Sequence, residues 1–166
     1  MKKGLVALLV LGVLAFVSCE KKVDIEKERE AIKATFEAEK AGFFNRDFVA
    51  MGTTWIKEPS AQKIFMTDKG QTKIIGWENI SASDRKATED SSWDRKLVTV
   101  TFSNYQIDIM DESAWVVCDT DWSGVFKDQP MKLRQSRISV LKKTNGEWKF
   151  AVMAIYQIPE AQESEN

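Results

Sequence analysis

The stretch RISVLKKTNGEWKFAVMAIY, residues 137–156, decides the fold because it predicts two strands and the turn that joins them. Asn145 and Gly146 are residue types that accept the two positive φ angles of a type I′ turn, so we expect them to form a two-residue hairpin loop. Counting outward from that loop gives the predicted cross-strand pairs, which are Lys143–Trp148, Leu141–Phe150, Ser139–Val152, Arg137–Ala154 and Gln135–Tyr156.

This register gives the hairpin two faces of different character. One face combines aromatic and aliphatic side chains with a polar patch, formed by Gln135, Arg137 and Tyr156. The other face is an apolar strip of Ile138, Val140, Ala151, Met153 and Ile155. Because both faces contain many apolar residues, both must be covered in the folded protein.

The N-terminus is typical of an export signal. Lys2 and Lys3 precede an uncharged run, residues 4–17, that is too short to cross a bilayer easily. The segment FVSC, residues 16–19, resembles the lipobox of bacterial lipoproteins, which implies cleavage after residue 18 and lipid on Cys19. Residues 19–23 then form a short tether, and the protein is held at a membrane of the bacterial cell envelope. An ordinary cleaved signal and an uncleaved N-terminal anchor are the alternatives.

Composition excludes several classes of function. Without residues 1–18 the chain keeps 22 basic and 25 acidic side chains, a net charge of −3, and the charges are interspersed. It therefore has no basic face for a nucleic acid. The chain contains no histidine, and Cys118 is its only cysteine besides Cys19, so we expect a buried, unreactive thiol. No metal site or cofactor is predicted, because an Asp-x-Asp pair alone is a weak metal motif.

The order of elements along the chain predicts an α+β domain over residues 24–159, followed by a polar tail, residues 160–166. Asp24 is suited to cap a long helix whose apolar residues, Ile25, Ile32, Phe36 and Phe43, lie on one line. A short helix, a small hairpin and a third helix follow, and the chain is rich in strands from Trp93 onward. We predict a strongly curved antiparallel sheet wrapped around the long N-terminal helix, a cone-shaped barrel with an open mouth.

Four segments of this domain resemble the nuclear transport factor 2-like superfamily, in particular its SnoaL-like branch. They are AGFFNRD at 41–47, GWENI at 76–80, AWV at 114–116 and RISVLKKTNGEWKF at 137–150. The resemblance implies a cone-shaped barrel with a pocket between the helices and the concave sheet, and often a dimer through the outer sheet face. A second copy is then the expected cover of the apolar strip, with a covering loop or a largely solvated face as alternatives.

Enzymes of that superfamily, among them isomerases, dehydratases and polyketide cyclases, tend to use a pocket His, a carboxylate base or a Tyr–Asp pair. The absence of histidine excludes the first, so carboxylates, Lys or Tyr would have to transfer protons. Asp119 and Asp121 are the catalytic candidates if their strand brings Asp121 opposite Arg137. A slip of one residue turns both aspartates outward and points Ala114, Val116, Cys118, Thr120 and Trp122 inward; the small alanine of the family favours this second register.

The candidate ligand-binding residues are Arg137, Gln135, Tyr156, Trp122 and Trp55. A buried Arg137 needs an anionic partner, either a ligand or an acid of the first helix, and the tryptophans form either an aromatic wall or plain core. We predict a lipid-anchored homodimer that binds a small apolar or amphipathic molecule without converting it. The alternatives are an isomerase, dehydratase or hydrolase using the same pocket, and a protein-interaction module with a vestigial pocket.

Overall fold

A computed structural model describes residues 24–159, which begin with a long helix capped by Asp24. The Asp24 carboxylate accepts a hydrogen bond from the backbone N–H of Lys27 at 3.2 Å. No helix in this part of the chain has the length and apolar character needed to span a bilayer. The elements are α1 (Ile25–Phe44), α2 (Phe48–Thr53), β1 (Gln62–Thr67), β2 (Gly70–Ile75), α3 (Trp77–Glu89), a 3-10 turn (Arg95–Leu97), β3 (Val98–Met110), β4 (Ser113–Phe126), β5 (Gln129–Thr144) and β6 (Glu147–Gln157).

Strands β1–β6 form one curved, open sheet in the order β2-β1-β6-β5-β4-β3. Strands β1 and β6 run parallel, and the other neighbouring pairs are antiparallel. The predicted fold class, a strongly curved sheet around the long first helix, is confirmed. The parallel pair is the one departure from the purely antiparallel sheet that the sequence analysis predicted.

Helix α1 packs against the concave face of the sheet through its apolar side. Phe36 is fully buried and meets Phe102, Tyr105 and Phe150 edge to face, with ring centroids 5.7, 5.6 and 4.9 Å away. Near the start of the helix, Glu28 accepts hydrogen bonds from Lys143 Nζ at 2.6 Å and Trp148 Nε1 at 2.7 Å. These contacts fix α1 to the hairpin of β5 and β6 and leave its C-terminal end beside the other helices.

The hairpin turn forms as predicted, but the register of its strands changes after two pairs. Asn145 and Gly146 have φ angles of 53° and 81°, as a type I′ turn requires. The pairs Lys143–Trp148 and Leu141–Phe150 are confirmed. A β-bulge then follows, because Ala151 is an extra residue on β6 without a partner on β5. The observed pairs beyond it are Val140–Val152, Ser139–Met153, Arg137–Ile155, Ser136–Tyr156 and Gln135–Gln157.

The bulge corrects the predicted faces of β6. Phe150 and Ala151 are both buried on the concave side, so alternation restarts one residue later and Met153 and Ile155 also point inward. The apolar strip predicted for the outer face is therefore wrong for Ala151, Met153 and Ile155. The convex apolar strip consists instead of Trp115, Ile138, Val140, Val152 and Ala154.

Strand β4 adopts the second of the two predicted registers. Cys118 lies opposite Arg137, whereas Asp119 pairs with Ser136 and Asp121 with Arg134. The inward-facing side chains include Ala114, Val116, Cys118 and Thr120, each at most 1% exposed. The alternative register, with Asp121 opposite Arg137 on the concave face, is wrong because the aspartates occupy the outward positions of the alternating strand.

Candidate functional site

A cavity of about 240 Å³ lies between α1, α2, α3 and the concave face of the sheet. Its wall is mainly aromatic and aliphatic, and its charged residues come from two helices and two strands. The apolar part of the lining is Phe43, Phe44, Met51, Phe65, Ala87, Val100, Phe102, Trp122 and Ile155, and the polar part is Glu39, Lys40, Lys63, Ser83, Asp84 and Arg137. Concave apolar sites with a few convergent polar groups are typical of small-molecule binding.

Four of these polar residues, Glu39, Lys63, Asp84 and Arg137, form what we call the charge quartet. Lys63 Nζ donates to Asp84 Oδ1 at 2.6 Å, and the two side chains are 8% and 5% exposed. Arg137 Nη1 lies 3.3 Å from Glu39 Oε2, and these side chains are 5% and 7% exposed. The quartet therefore contains two buried ion pairs with no net charge. The desolvation of a buried ion pair offsets much of its electrostatic attraction, so such pairs add little to the stability of the fold. Two of them in the wall of one cavity therefore indicate a functional site.

Aromatic rings hold both cations of the quartet in place. Arg137 packs beside Phe36 and Phe102, with its guanidinium carbon 5.8 and 5.0 Å from the ring centroids. Lys63 Nζ lies 5.7 Å from the ring centroid of Trp55 and 5.8 Å from that of Phe65. Cation–π attraction of this kind is strongest away from water, so the rings partly compensate the burial of both charges.

The buried surroundings of Asp84 shift the pKa of its carboxyl group. Burial raises the pKa of Asp84 above its ordinary value, and the nearby charge of Glu39 raises it further, against the opposing effect of Lys63. Burial dominates because the low-dielectric surroundings disfavour the charged form. A buried carboxyl group in a cavity wall is a candidate to exchange a proton with a bound molecule.

Behind Arg137 the concave sheet carries polar groups whose hydrogen-bonding capacity is unused within residues 24–159. They are the hydroxyls of Tyr105, Thr120 and Ser139 and the Nε–H of Arg137. Burial raises the pKa of Tyr105 and raises the pKa of Cys118 to about 11. Both groups therefore stay protonated at neutral pH, and Cys118 is no nucleophile.

The structure brings some of the predicted ligand-binding residues together and separates others. Arg137 and Trp122 line the cavity, and Gln135 accepts a hydrogen bond from Trp122 Nε1 at 3.0 Å. Trp55 is 1% exposed and belongs to the core beneath Lys63. Tyr156 lies on the convex face, 43% exposed, because the bulge at Ala151 turns it away from the cavity.

The two aspartates considered for catalysis also lie outside the cavity. Asp119 accepts a hydrogen bond from Asn104 Nδ2 at 2.7 Å on the outer surface. Asp121 forms an exposed ion pair with Arg134 at 3.4 Å. Over residues 24–159, no cluster of three His, Cys, Asp or Glu side chains is placed to hold a metal ion. The predicted lipidation site, Cys19, lies outside the described residues.

Three members of the quartet were not predicted from the sequence, although the position of each among apolar residues indicates that it is buried. Glu39 lies on the apolar line of α1, between Phe36 and Phe43, where a solvated acid is not expected. It is the acid of the first helix that was the alternative partner of Arg137, and that pairing is confirmed. Asp84 follows the buried Ile80 by four residues on α3, and Lys63 shares a strand face with Phe65.

Comparison with known proteins supports the fold through structure alone. No protein-family model matches the chain, and no curated protein matches it significantly. A nuclear transport factor 2-like superfamily protein from Salmonella enterica serovar Typhimurium is similar in structure, with a TM-score of 0.65 and 15% sequence identity, over 86% of this chain and 99% of that one. A candidate dehydratase of the same family from Streptomyces avermitilis has a TM-score of 0.68 and 11% identity, over 81% and 99% of the two chains.

A third solved structure, a candidate scytalone dehydratase from Novosphingobium aromaticivorans, has a TM-score of 0.66 and 12% identity, over 80% of this chain and 85% of that one. The similarity in each case spans most of both chains. At such low identity, shared structure establishes the fold and leaves activity open. The chain therefore has the nuclear transport factor 2-like fold.

Proposed function

We propose that the protein binds a small amphipathic molecule in the cavity between its helices and the concave sheet. The observation that carries this proposal is the combination of an aromatic wall with the buried charge quartet in one cavity. Its volume of about 240 Å³ is small for a drug-sized ligand, whose sites measure roughly 300–1,000 Å³, so the ligand is small. The apolar wall takes the body of the molecule, and the quartet takes its polar end.

Two features favour binding over a vestigial pocket in an interaction module. The rings of Phe43, Phe44 and Trp122 line the cavity and leave its volume open. The quartet also keeps four charged side chains in an interior where packed apolar residues would cost less. The same fold occurs in candidate dehydratases and in a ketosteroid isomerase-like protein from Erwinia carotovora atroseptica, which supports a small molecule as the occupant.

Native mass spectrometry of the protein purified from the cell envelope of the bacterium that produces it tests this proposal. We expect a retained small molecule that accompanies the wild-type protein and is absent from the variant Ala87→Phe, because Ala87 lines the cavity and a phenyl ring there fills it. The exposed Ala82→Phe, on the same helix, is the matched control and keeps the molecule. A molecule retained equally by both variants would place the binding site elsewhere.

A second candidate function is acid–base catalysis, favoured by the raised pKa of Asp84. In this reaction the Asp84 carboxylate removes a proton from a carbon beside a carbonyl, Lys63 or Arg137 stabilises the resulting enolate oxygen, and Asp84 returns the proton. Exchange of the ring CH2 protons of 2-tetralone in D2O, followed by proton NMR, measures the first step. We expect exchange above the buffer rate that is lost in Asp84→Asn and kept in the exposed Asp68→Asn. A rate equal to that of buffer would eliminate this function.

Lipid on Cys19 would hold this binding domain at a membrane of the bacterial cell envelope, as the N-terminal sequence predicts. Metabolic labelling with radioactive palmitate tests the anchor. The label should be present in the wild-type protein and in Cys118→Ala, and absent from Cys19→Ala. Equal labelling of the two cysteine variants would contradict lipidation at Cys19.

A further inference from the structure

We propose that the charge quartet selects ligands whose buried end is electrically neutral and carries both a hydrogen-bond donor and an acceptor. This inference rests on the proposed binding function and names the chemical class of the ligand. Hydroxyl, phenol, amide and hydroxy-ketone groups belong to this class. Carboxylates, phosphates and ammonium ions do not.

The argument begins with the charge balance of the cavity. The quartet contains two carboxylates and two cations, and each side chain is at most 8% exposed. A ligand carboxylate would bring a third negative charge into this buried space, and an ammonium ion a third positive one. Neither charge would find a free counter-ion within the quartet, and an uncompensated buried charge is strongly unfavourable.

The remaining charged residue of the lining does not change this balance. Lys40 is partly exposed and forms an ion pair with Glu37, whose side chain is 53% exposed. Its Nζ also lies 3.4 Å from the carbonyl oxygen of Val100. The charge of Lys40 is thus met by Glu37 on the solvent side of α1, where water screens both groups.

The quartet offers hydrogen bonds of both kinds to a neutral group. Carboxylate oxygens of Glu39 and Asp84 accept hydrogen bonds, and the lysine and guanidinium N–H groups donate them. A neutral group that both donates and accepts can bond to these atoms without adding charge. The rings of the same ligand contact Phe44 and Trp122, whose ring centroids lie 6.0 Å apart.

Isothermal titration of the full-length chain with three flat probes tests this selection. The probes 2-naphthol, 2-naphthoate and 2-naphthylmethylammonium share one ring system and differ in charge. We expect 2-naphthol to bind at least tenfold more tightly than either ion at pH 7. Equal or tighter binding of 2-naphthoate or the ammonium probe overturns the inference.

The variant Glu39→Gln tests whether the quartet is the cause. It preserves the size of the side chain and leaves Arg137 unpaired, and a guanidinium stays charged in proteins, so the cavity gains one positive charge. The ratio of naphthoate to naphthol affinity should then rise at least tenfold. Glu30→Gln is the matched control, since Glu30 lies on the same helix with its side chain 70% exposed, and its ratio should equal that of the wild type.

A second variant provides the same test if Glu39→Gln does not fold. Asp84→Asn unpairs Lys63 on the other side of the quartet and should shift the ratio in the same direction. An unchanged ratio in a folded Glu39→Gln or Asp84→Asn protein overturns the inference while the binding function stands. Failure of all three probes to bind any variant, or probe binding that survives Ala87→Phe, overturns the proposed function itself.

Discussion

Glu28 is the residue that joins the start of α1 to the hairpin of β5 and β6. Its carboxylate accepts hydrogen bonds from Lys143 and Trp148, and these bonds lower the pKa of Glu28 below its ordinary value. Because its pKa is lowered, the carboxylate stabilises the folded state at pH values above the ordinary pKa of glutamate. This contribution is lost as the pH falls through the lower pKa of the folded protein.

Glu28→Gln should therefore lower the free energy of unfolding by about 1–3 kcal/mol at pH 7, as expected for hydrogen bonds to a charged group. The difference from the wild type should shrink as the pH falls below the ordinary glutamate range, about 4.3. Urea unfolding at a series of pH values measures both effects. Glu26→Gln is the control, because Glu26 is 76% exposed and, within residues 24–159, pairs with Arg29 alone. Equal stability of Glu28→Gln and wild type at pH 7 would contradict the role of Glu28.

Cys118 should report unfolding of the whole domain. It is 1% exposed, and burial raises its pKa to about 11, so neither access nor ionisation favours its reaction. In a Cys19→Ser background we expect no labelling by a thiol reagent at pH 8 in the native protein and full labelling in urea. Cys118→Ala in the same background is the blank. Rapid labelling without denaturant would show that β4 opens locally.

Among the elements, α1 and α2 approach each other so closely that Gly42 cannot carry a side chain. A Cβ atom at this position would lie 2.6 Å from the backbone nitrogen of Met51. Helix propensity alone predicts that Gly→Ala stabilises a helix by about 1 kcal/mol. The contact reverses that sign, because backbone atoms of α2 cannot rotate away as a flexible side chain would.

We expect Gly42→Ala to lower the free energy of unfolding by about 1–3 kcal/mol, the usual cost of overpacking. Gly52→Ala is the matched comparison, since its Cβ would meet only the side chain of Trp77, at 3.2 Å, and should cost less. Urea unfolding of both variants measures the difference. A Gly42→Ala protein as stable as the wild type would show that α2 moves freely.

The sequence predicted the elements more completely than their register. Asn145 and Gly146 carry a local signal, since few residue types accept two positive φ angles, and the turn was predicted correctly. The bulge at Ala151 has no such signal, because β6 is apolar on both faces and either register satisfies the pattern. Arg137 and Trp122 line the cavity, whereas Tyr156 does not, since its face depends on the bulge. Lys63 and Asp84 meet only through the folding of β1 against α3, a contact between residues 21 positions apart.

For the whole molecule, the convex apolar strip is where we propose that a second copy binds. Trp115 is 45% exposed within this strip and is large enough to anchor an interface. Trp115→Glu should convert a dimer to a monomer in light scattering coupled to size exclusion. Val49→Glu is the control, because Val49 is 74% exposed on α2, away from the sheet. A monomeric mass for the wild-type protein would contradict the dimer.

The bulge at Ala151 determines which residues of β6 face the cavity and which face the convex side of the sheet. If Ala151 paired with Val140 in an unbulged ladder, unbroken alternation would put every later residue of β6 on the opposite side of the sheet. Val152 and Ala154 would then face the cavity, and Ile155 would face the convex side of the sheet. Loss of the bulge with the sequence unchanged would therefore alter the cavity lining and the convex apolar strip together, whereas a substitution at one of these positions alters one face.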